Sequence, residues 1–191
     1  MHHRLAPSRL GMALWSGVVF PLALFVSADG SATTLRHELK ILASHYQLYL
    51  QDDGTEIPDM GPWRTDNETW KRRLAVAPGL IAVDTASYRF VPIVVEVLDK
   101  EPSEDFDAWE HVVEAGLDVR SGRLVVYGPT QDFRRAVRLR IAAGTYGVRV
   151  SSRGLGTVPP NGLTGEDSYR VQLWSVARMS RPTVRKQGIS P

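Results

Sequence analysis

The chain has 191 residues, 43% of them hydrophobic and 23% charged, which suits one soluble globular domain with tails. It contains no cysteine, so disulfides, thiol nucleophiles and thiolate metal sites are excluded. The formal net charge of +2 hides an uneven distribution, because residues 29–176 hold 17 basic and 21 acidic side chains. That balance lacks the basic footprint of a nucleic-acid-binding domain, so we expect no direct binding of nucleic acid by these residues.

Residues 1–28 have the layout of a secretory signal peptide. Two arginines precede an apolar run over residues 12–26, and the small residues Ser27 and Ala28 follow it. The run is too short and too interrupted for a stable membrane span. An upstream extension from a mistaken start codon gives the same pattern. The expected location is therefore periplasmic or extracellular if the segment is a signal, and cytoplasmic otherwise.

The first long strand is predicted at residues 39–50. Tyr46, Leu48 and Leu50 alternate with polar side chains there, which is the period of two of a strand with one covered face. A loop is predicted at residues 52–62, because their Gly, Pro and Asp content favours turns and shows no periodicity.

A short helix is predicted at residues 66–74. Thr65 is its expected N-cap, and Glu68 lies three residues further on, as in a capping box. Trp70 and Leu74 share one face at helical spacing, so we expect both to pack against the rest of the domain. The segment Ala77-Pro78-Gly79 is expected to end the helix.

The remainder of the domain shows only strand patterns. Runs bounded by Gly, Pro, Asp or Ser predict seven further strands, at residues 80–85, 91–98, 111–119, 123–127, 136–141, 146–151 and 169–174. Ser121-Gly122 and Ala143-Gly144 are typical of hairpin turns. Eight short strands and one helix predict an all-β fold, a two-sheet antiparallel β-sandwich over residues 37–176. Residues 177–191, with four basic side chains and no acid, are predicted to be a basic flexible tail.

The alternation also predicts the core. We expect the following side chains to be largely buried: Val95, Val97, Leu124, Val126, Leu139, Ile141, Val148, Val150, Val171 and Leu173.

Catalytic and cofactor motifs are missing from the sequence. It has no dinucleotide fingerprint, phosphate-binding loop, His-Glu-x-x-His or Gly-x-Ser-x-Gly motif. His37, His45 and His111 lie in separate strand patterns, which does not favour a shared metal. We therefore predict a protein without a catalytic site, a cofactor or a metal.

Residues 99–114 are rich in acids, and three interpretations stay open. The seven acids are Asp99, Glu101, Glu104, Asp105, Asp107, Glu110 and Glu114. They could form a solvated loop, or a surface facing a basic partner, with Glu104, Asp105 and Asp107 as the candidate binding residues. The third interpretation is a calcium site, in which Asp105 and Asp107 join Asp52 or Asp53.

Three tryptophans leave two interpretations open. Trp63, Trp109 and Trp174 could form an aromatic platform for sugar rings, or could be buried in the sandwich as large apolar side chains commonly are.

Several short motifs occur in a recognisable order. They are HYQLY at residues 45–49, Trp63 with Thr65 and Asp66, LAVAPGLI at 74–81, PIVVEV at 92–97, LRIAAGTY at 139–146 and DSYRVQLW at 167–174. This order resembles the competence protein J family, also called the DNA-entry nuclease inhibitors. The resemblance covers roughly residues 37–174 and includes no site motif. It implies a small β-sandwich protein that binds and restrains a nuclease.

Three functional hypotheses follow. The first is a non-enzymatic binding protein that restrains a partner protein through surface contacts, and the resemblance implies that this partner is a nuclease. The alternative is an exported β-sandwich that binds a carbohydrate or calcium. The third is an enzyme whose type the sequence motifs do not identify.

Overall fold

The computed structural model describes residues 33–56 and 67–188, which contain two β-sheets and a short helix. The helix α1 spans Asn67–Arg72. The strands are β1 Thr33–Leu42, β2 Gln47–Asp52, β3 Leu74–Ala77, β4 Leu80–Asp84, β5 Phe90–Leu98, β6 His111–Val119, β7 Arg123–Tyr127, β8 Val137–Arg140, β9 Gly144–Arg153, β10 Ser168–Ser175 and β11 Thr183–Lys186. The prediction of an all-β sandwich is confirmed.

The two sheets have different sizes and share one core. The six-stranded sheet has the order β1-β5-β10-β9-β6-β11, and the five-stranded sheet has the order β3-β4-β2-β7-β8. Neighbouring strands are antiparallel except β5 and β10, which run parallel and depart from the wholly antiparallel expectation.

Strand alternation places the core between the sheets. In β5, for example, Val91, Ile93, Val95 and Val97 point inward and join buried side chains from both sheets. All the side chains predicted for the core are buried except Ile141. Ile141 is only partly buried, because it lies just beyond the end of β8.

The strand predicted at residues 39–50 is in fact two strands of different sheets. β1 belongs to the six-stranded sheet and β2 to the five-stranded sheet, with a turn at Ser44–Tyr46 between them. His45 and Tyr46 have φ of 56° and 59°, in the left-handed region that residues other than glycine rarely adopt. Neither residue type indicates this conformation, and the alternation of apolar and polar residues continues across the turn. The sequence pattern therefore does not show where one strand ends and the next begins.

The two predicted hairpin turns are wrong for a related reason. Ser121-Gly122 connects β6 to β7, and Ala143-Gly144 leads from β8 into β9, so each crosses from one sheet to the other. A true hairpin occurs at Pro78-Gly79, between β3 and β4, where Gly79 has a φ of 68°. Turn residues thus mark where the chain reverses, but not which strand it pairs with next.

The helix is shorter than predicted. It ends at Arg72, and Arg73 takes a left-handed φ of 52° before β3 begins at Leu74. Leu74 is buried as a strand residue, whereas Trp70 is 44% exposed, so the expected packing of Trp70 is wrong. The proposed N-cap Thr65 lies outside the described residues.

The end of the chain, for which the sequence predicts a basic flexible tail, contains β11. This strand pairs antiparallel with β6 at the edge of the six-stranded sheet, and Val184 packs against the core. The signal-like segment at residues 1–28 and the last three residues lie outside the described residues.

Candidate functional site

The acidic segment forms a loop over the outer face of the six-stranded sheet. We call residues 99–110, between β5 and β6, the acid loop. β5 and β6 follow one another in sequence, but β10 and β9 lie between them in the sheet. The loop contacts outward side chains of β9, β10 and β11 on its way, so it covers the face that it crosses.

A row of polar side chains crosses the outer face of this sheet, and the loop lies over its Arg149. The pairing registers align Arg36, Glu96, Gln172, Arg149 and Glu114 across five neighbouring strands. Arg36 forms an ion pair with Glu96, and the amide of Gln172 donates to the same carboxylate at 3.0 Å. These outward positions carry hydrogen-bonding groups where the inward positions carry aliphatic ones.

Arg149 lies between Gln172 and Glu114 in this row and is 1% exposed. Its Nε donates to Glu114 at 2.7 Å. Its Nη1 donates to the main-chain carbonyls of Pro102 and Ser103 in the acid loop, at 3.2 and 2.8 Å. The guanidinium carbon also lies 5.0 Å from the ring centre of Phe106. A buried arginine therefore ties the first half of the loop to β9.

Two of the predicted binding residues form ion pairs with neighbouring strands. Asp105 accepts two hydrogen bonds from Arg170 of β10, both at 2.7 Å. Burial opposes ionisation of Asp105, but the hydrogen bonds and charge of Arg170 outweigh it and hold the carboxyl's pKa below its usual value. Glu104 pairs with Arg185 of β11 at 2.5 Å. Both carboxylates remain partly exposed.

The third predicted binding residue, Asp107, is exposed and differs from the other two. Within residues 33–56 and 67–188, no hydrogen bond or ion pair of its carboxylate is found. Asp107 lines an open cleft of about 720 Å³ between the acid loop and the chain end, together with Trp109, Arg153 and Lys186. The structure thus places Glu104, Asp105 and Asp107 on one loop, with Asp107 at the rim of this cleft.

Trp109 and Trp174, the two of these tryptophans that the structure describes, do not form one exposed platform. Trp109 is partly buried and has the guanidinium groups of Arg170 and Arg153 at 4.6 and 5.3 Å from its ring centre. Trp174 is buried beside Arg149. Trp63 lies outside the described residues.

The aspartates proposed for calcium are distributed over separate sites. Asp52 is buried and accepts from the main chain and hydroxyl of Ser121. Asp53 binds Arg123 and Arg138 at 2.6 and 3.1 Å; these arginines outweigh the opposing effect of burial and lower its pKa. No group of three or more His, Asp or Glu side chains that could hold a metal ion occurs among the described residues.

Sequence reasoning missed the arginines that hold the loop. Arg149, Arg170 and Arg185 lie in three different strands, far from residues 99–110 in sequence. Their outward positions could be derived from the alternation of β9 and β10, because Val148 and Val150 flank Arg149. No spacing rule indicates that a loop covers Arg149.

Comparison with known proteins gives the fold relationship. No protein-family model matches the chain, and no curated protein matches it. The crystal structure of ComJ from Bacillus subtilis, an inhibitor of the DNA-degrading activity of NucA, superposes with a TM-score of 0.56. The match covers 76% of this chain and 98% of ComJ, at 15% sequence identity. The fold is ComJ-like.

A second structure has the same ComJ-like fold. The protein described as crocagin biosynthetic gene J superposes with a TM-score of 0.50 at 15% identity, over 75% of this chain and 98% of its own. At these identities the ComJ-like relationship concerns the fold.

None of the helices in residues 33–56 and 67–188 has the length and apolar character needed to cross a membrane.

Proposed function

We propose that this protein binds a partner protein, a nuclease, and restrains it through surface contacts without catalysing a reaction itself. The observation that carries the proposal is the ComJ-like fold, which extends over 98% of a solved nuclease inhibitor. The order of sequence motifs supports the same fold, because it resembles the same family.

The acid loop is the proposed contact surface. A nuclease needs a basic groove to hold DNA phosphates, so an inhibitor that occupies the groove benefits from acidic side chains. The side chains of Glu104 and Asp105 are 60% and 42% exposed even though each pairs with an arginine. Asp107 adds a carboxylate with no such arginine among the described residues. These three carboxylates lie within the four-residue segment 104–107, in which Phe106 separates Asp105 from Asp107.

The experiment measures DNA degradation by nucleases purified from the same cell, at increasing concentrations of this protein. We expect one nuclease to be inhibited in proportion to the complex formed. The single variant Asp107→Asn should slow association several-fold at low salt, because charges at the rim of an interface act mainly on the association rate. The defect should shrink as salt rises, because the screening length falls from about 10 Å at 0.1 M salt to about 3 Å at 1 M.

Glu56→Gln is the matched control. Glu56 is an exposed acid outside the acid loop, so its removal changes the net charge equally without changing the proposed contact. The triple variant Glu104→Gln/Asp105→Asn/Asp107→Asn should inhibit less than the single variant. Its stability must be measured as well, since it leaves Arg170 and Arg185 without these partners.

Two results would contradict the proposal in different ways. If the wild type inhibits none of the purified nucleases, the function is wrong. If the wild type and the triple variant inhibit equally at low salt, the acid loop is not the contact surface, while nuclease inhibition stands.

A further inference from the structure

The acid loop depends on side chains for its conformation. It contains one short 3-10 turn, at Phe106–Ala108, and otherwise no helix or strand. The main-chain carbonyls of Pro102, Ser103 and Phe106 accept from side chains of β9 and β11. The loop is therefore anchored mainly to the sheet beneath it.

Among the side chains that hold the acid loop, Arg149 makes the contacts that water is least able to substitute for, because they are buried. Its guanidinium is buried and satisfied by Glu114 and by two loop carbonyls, and Glu101 lies 3.9 Å from Nη2. Burying an arginine is costly unless it is paired and hydrogen-bonded, so Arg149 needs the loop in this position. The loop carbonyls in turn need a donor. Opening the loop would separate the Arg149 guanidinium from the loop carbonyls and leave both without these hydrogen bonds.

The flanking anchors are weaker. Arg170–Asp105 and Arg185–Glu104 lie at the loop's outer edge, where each acid is about half exposed to solvent. In the Arg185–Glu104 pair both side chains are exposed, so water competes for both partners and the pair contributes little to stability. Arg170 is only 16% exposed and binds Asp105 through two hydrogen bonds, but it holds the loop by a side-chain carboxylate, whereas Arg149 holds two main-chain carbonyls. The buried contact at Arg149 should therefore dominate the order of the loop.

We infer that Arg149 is a positioning residue for partner binding, which rests on the function proposed above. It holds the acid loop in one conformation before the partner arrives, so that Glu104, Asp105 and Asp107 face the partner without further ordering. A preformed surface binds more tightly than a mobile one, because the entropy of ordering is not lost on association.

Lysine cannot replace arginine in this role. The planar guanidinium directs Nε to Glu114 and Nη1 to the two carbonyls at the same time. A lysine ammonium keeps the charge but is a single donor centre at the end of its chain, so it cannot reach both sides. Arg149→Lys should thus free the loop while keeping the charge.

The first measurement is hydrogen exchange, which needs no partner. In full-length Arg149→Lys, the amides of Ala108 and Trp109 should exchange about tenfold faster or more, because they are protected only by bonds within the loop. Amides of β10, in the middle of the sheet, should change only as far as global stability changes. Unchanged exchange at Ala108 and Trp109 would overturn the inference.

The second measurement is nuclease inhibition, with a control that separates positioning from stability. Val148→Ala removes core packing next to Arg149 in the same strand but leaves the loop contacts in place. Arg149→Lys should inhibit about tenfold less well than wild type, and clearly less well than Val148→Ala. Faster loop exchange with inhibition equal to wild type would overturn the positioning role but not the proposed function.

Two further outcomes are distinguishable. If Arg149→Lys does not fold, Glu114→Gln tests the same contact more gently, because its amide oxygen can still accept from Nε. It should accelerate exchange at the same two amides by a smaller factor, and unchanged exchange there would overturn the inference.

If the wild type inhibits no nuclease, the proposed function and the role in binding both fall, whereas exchange alone decides whether Arg149 orders the loop.

Discussion

His111 joins three parts of the chain through its two ring nitrogens. Its Nε2 lies 3.0 Å from the carbonyl of Arg72 at the end of α1, and Nδ1 accepts from the main-chain N–H of Gly188 at 3.1 Å. The ring must therefore be neutral, with its proton on Nε2. Burial, together with the nearby charge of Arg73, lowers the pKa of His111, although the bond to Arg72 partly opposes this.

The lowered pKa predicts a pH dependence of stability. The unfolded chain binds a proton at His111 near pH 6.5, above the folded pKa, so stability should fall as the pH drops below about 6.5. One such group changes the free energy of unfolding by at most about 1.4 kcal/mol per pH unit. His111→Gln removes the titration, so its unfolding free energy should vary less between about pH 5 and 7. Parallel curves for the two proteins, measured by urea denaturation, would show that His111 does not contribute.

At the level of residues, the sequence predicted which side chains point into the core more accurately than it predicted which polar side chains form pairs. Alternation alone identified Val95, Val148 and Val171 as core residues, since one buried face has a period of two. The pairs formed by Asp105 with Arg170 and by Glu104 with Arg185 join residues 65 and 81 positions apart. Such contacts depend on strand order, which a single sequence does not reveal.

Strand β9 shows how the sheet's outer face is packed. Gly147 lies beneath the indole of Trp174 on the neighbouring strand, and a methyl group there would be 2.5 Å from a ring carbon. The indole is buried next to Arg149, so it has little room to move. Gly144, at the start of the same strand, has nothing within 4 Å of an added methyl group.

These two glycines provide a matched test. Gly147→Ala should lower the free energy of unfolding by about 1–3 kcal/mol, as overpacking usually does. Gly144→Ala should change it by less than about 0.5 kcal/mol. Urea denaturation gives both values, and tryptophan fluorescence of the folded Gly147→Ala variant should differ from that of the wild type. Similar effects of the two substitutions would show that Trp174 does not pack on Gly147.

Among the elements, strands β4 to β10 were predicted with small errors at their ends, but β11 and the connections were not predicted. β1 and β2 were merged because a switch between sheets through Ser44–Tyr46 leaves the alternation intact. Leu74, the first residue of β3, was assigned to the helix because it also fits the helical spacing from Trp70, and the rest of β3 was not predicted as a strand. Local patterns report the conformation of a segment, whereas sheet membership is set by contacts distant in sequence.

For the whole molecule, the distribution of charge along the sequence differs from that in space. The sequence separates an acidic segment from a basic chain end. In the fold, Arg185 of β11 pairs with Glu104, and Lys186 donates to the carbonyl of Phe106 at 3.0 Å. Part of the acid loop's charge is therefore neutralised within the chain. Any partner meets a surface of mixed charge in which Asp107 is more available than its neighbours.

The core that the two sheets share predicts that both sheets unfold together. Buried side chains of the two sheets form one cluster, so neither sheet can keep its inner face dry alone. Far-UV circular dichroism reports on both sheets, while tryptophan fluorescence reports partly on Trp109 and Trp174 at the outer face of one. Unfolding by urea should give the same midpoint by both methods, and Gly147→Ala should shift both midpoints equally. Two separate midpoints for the wild type would mean that the sheets are independent units.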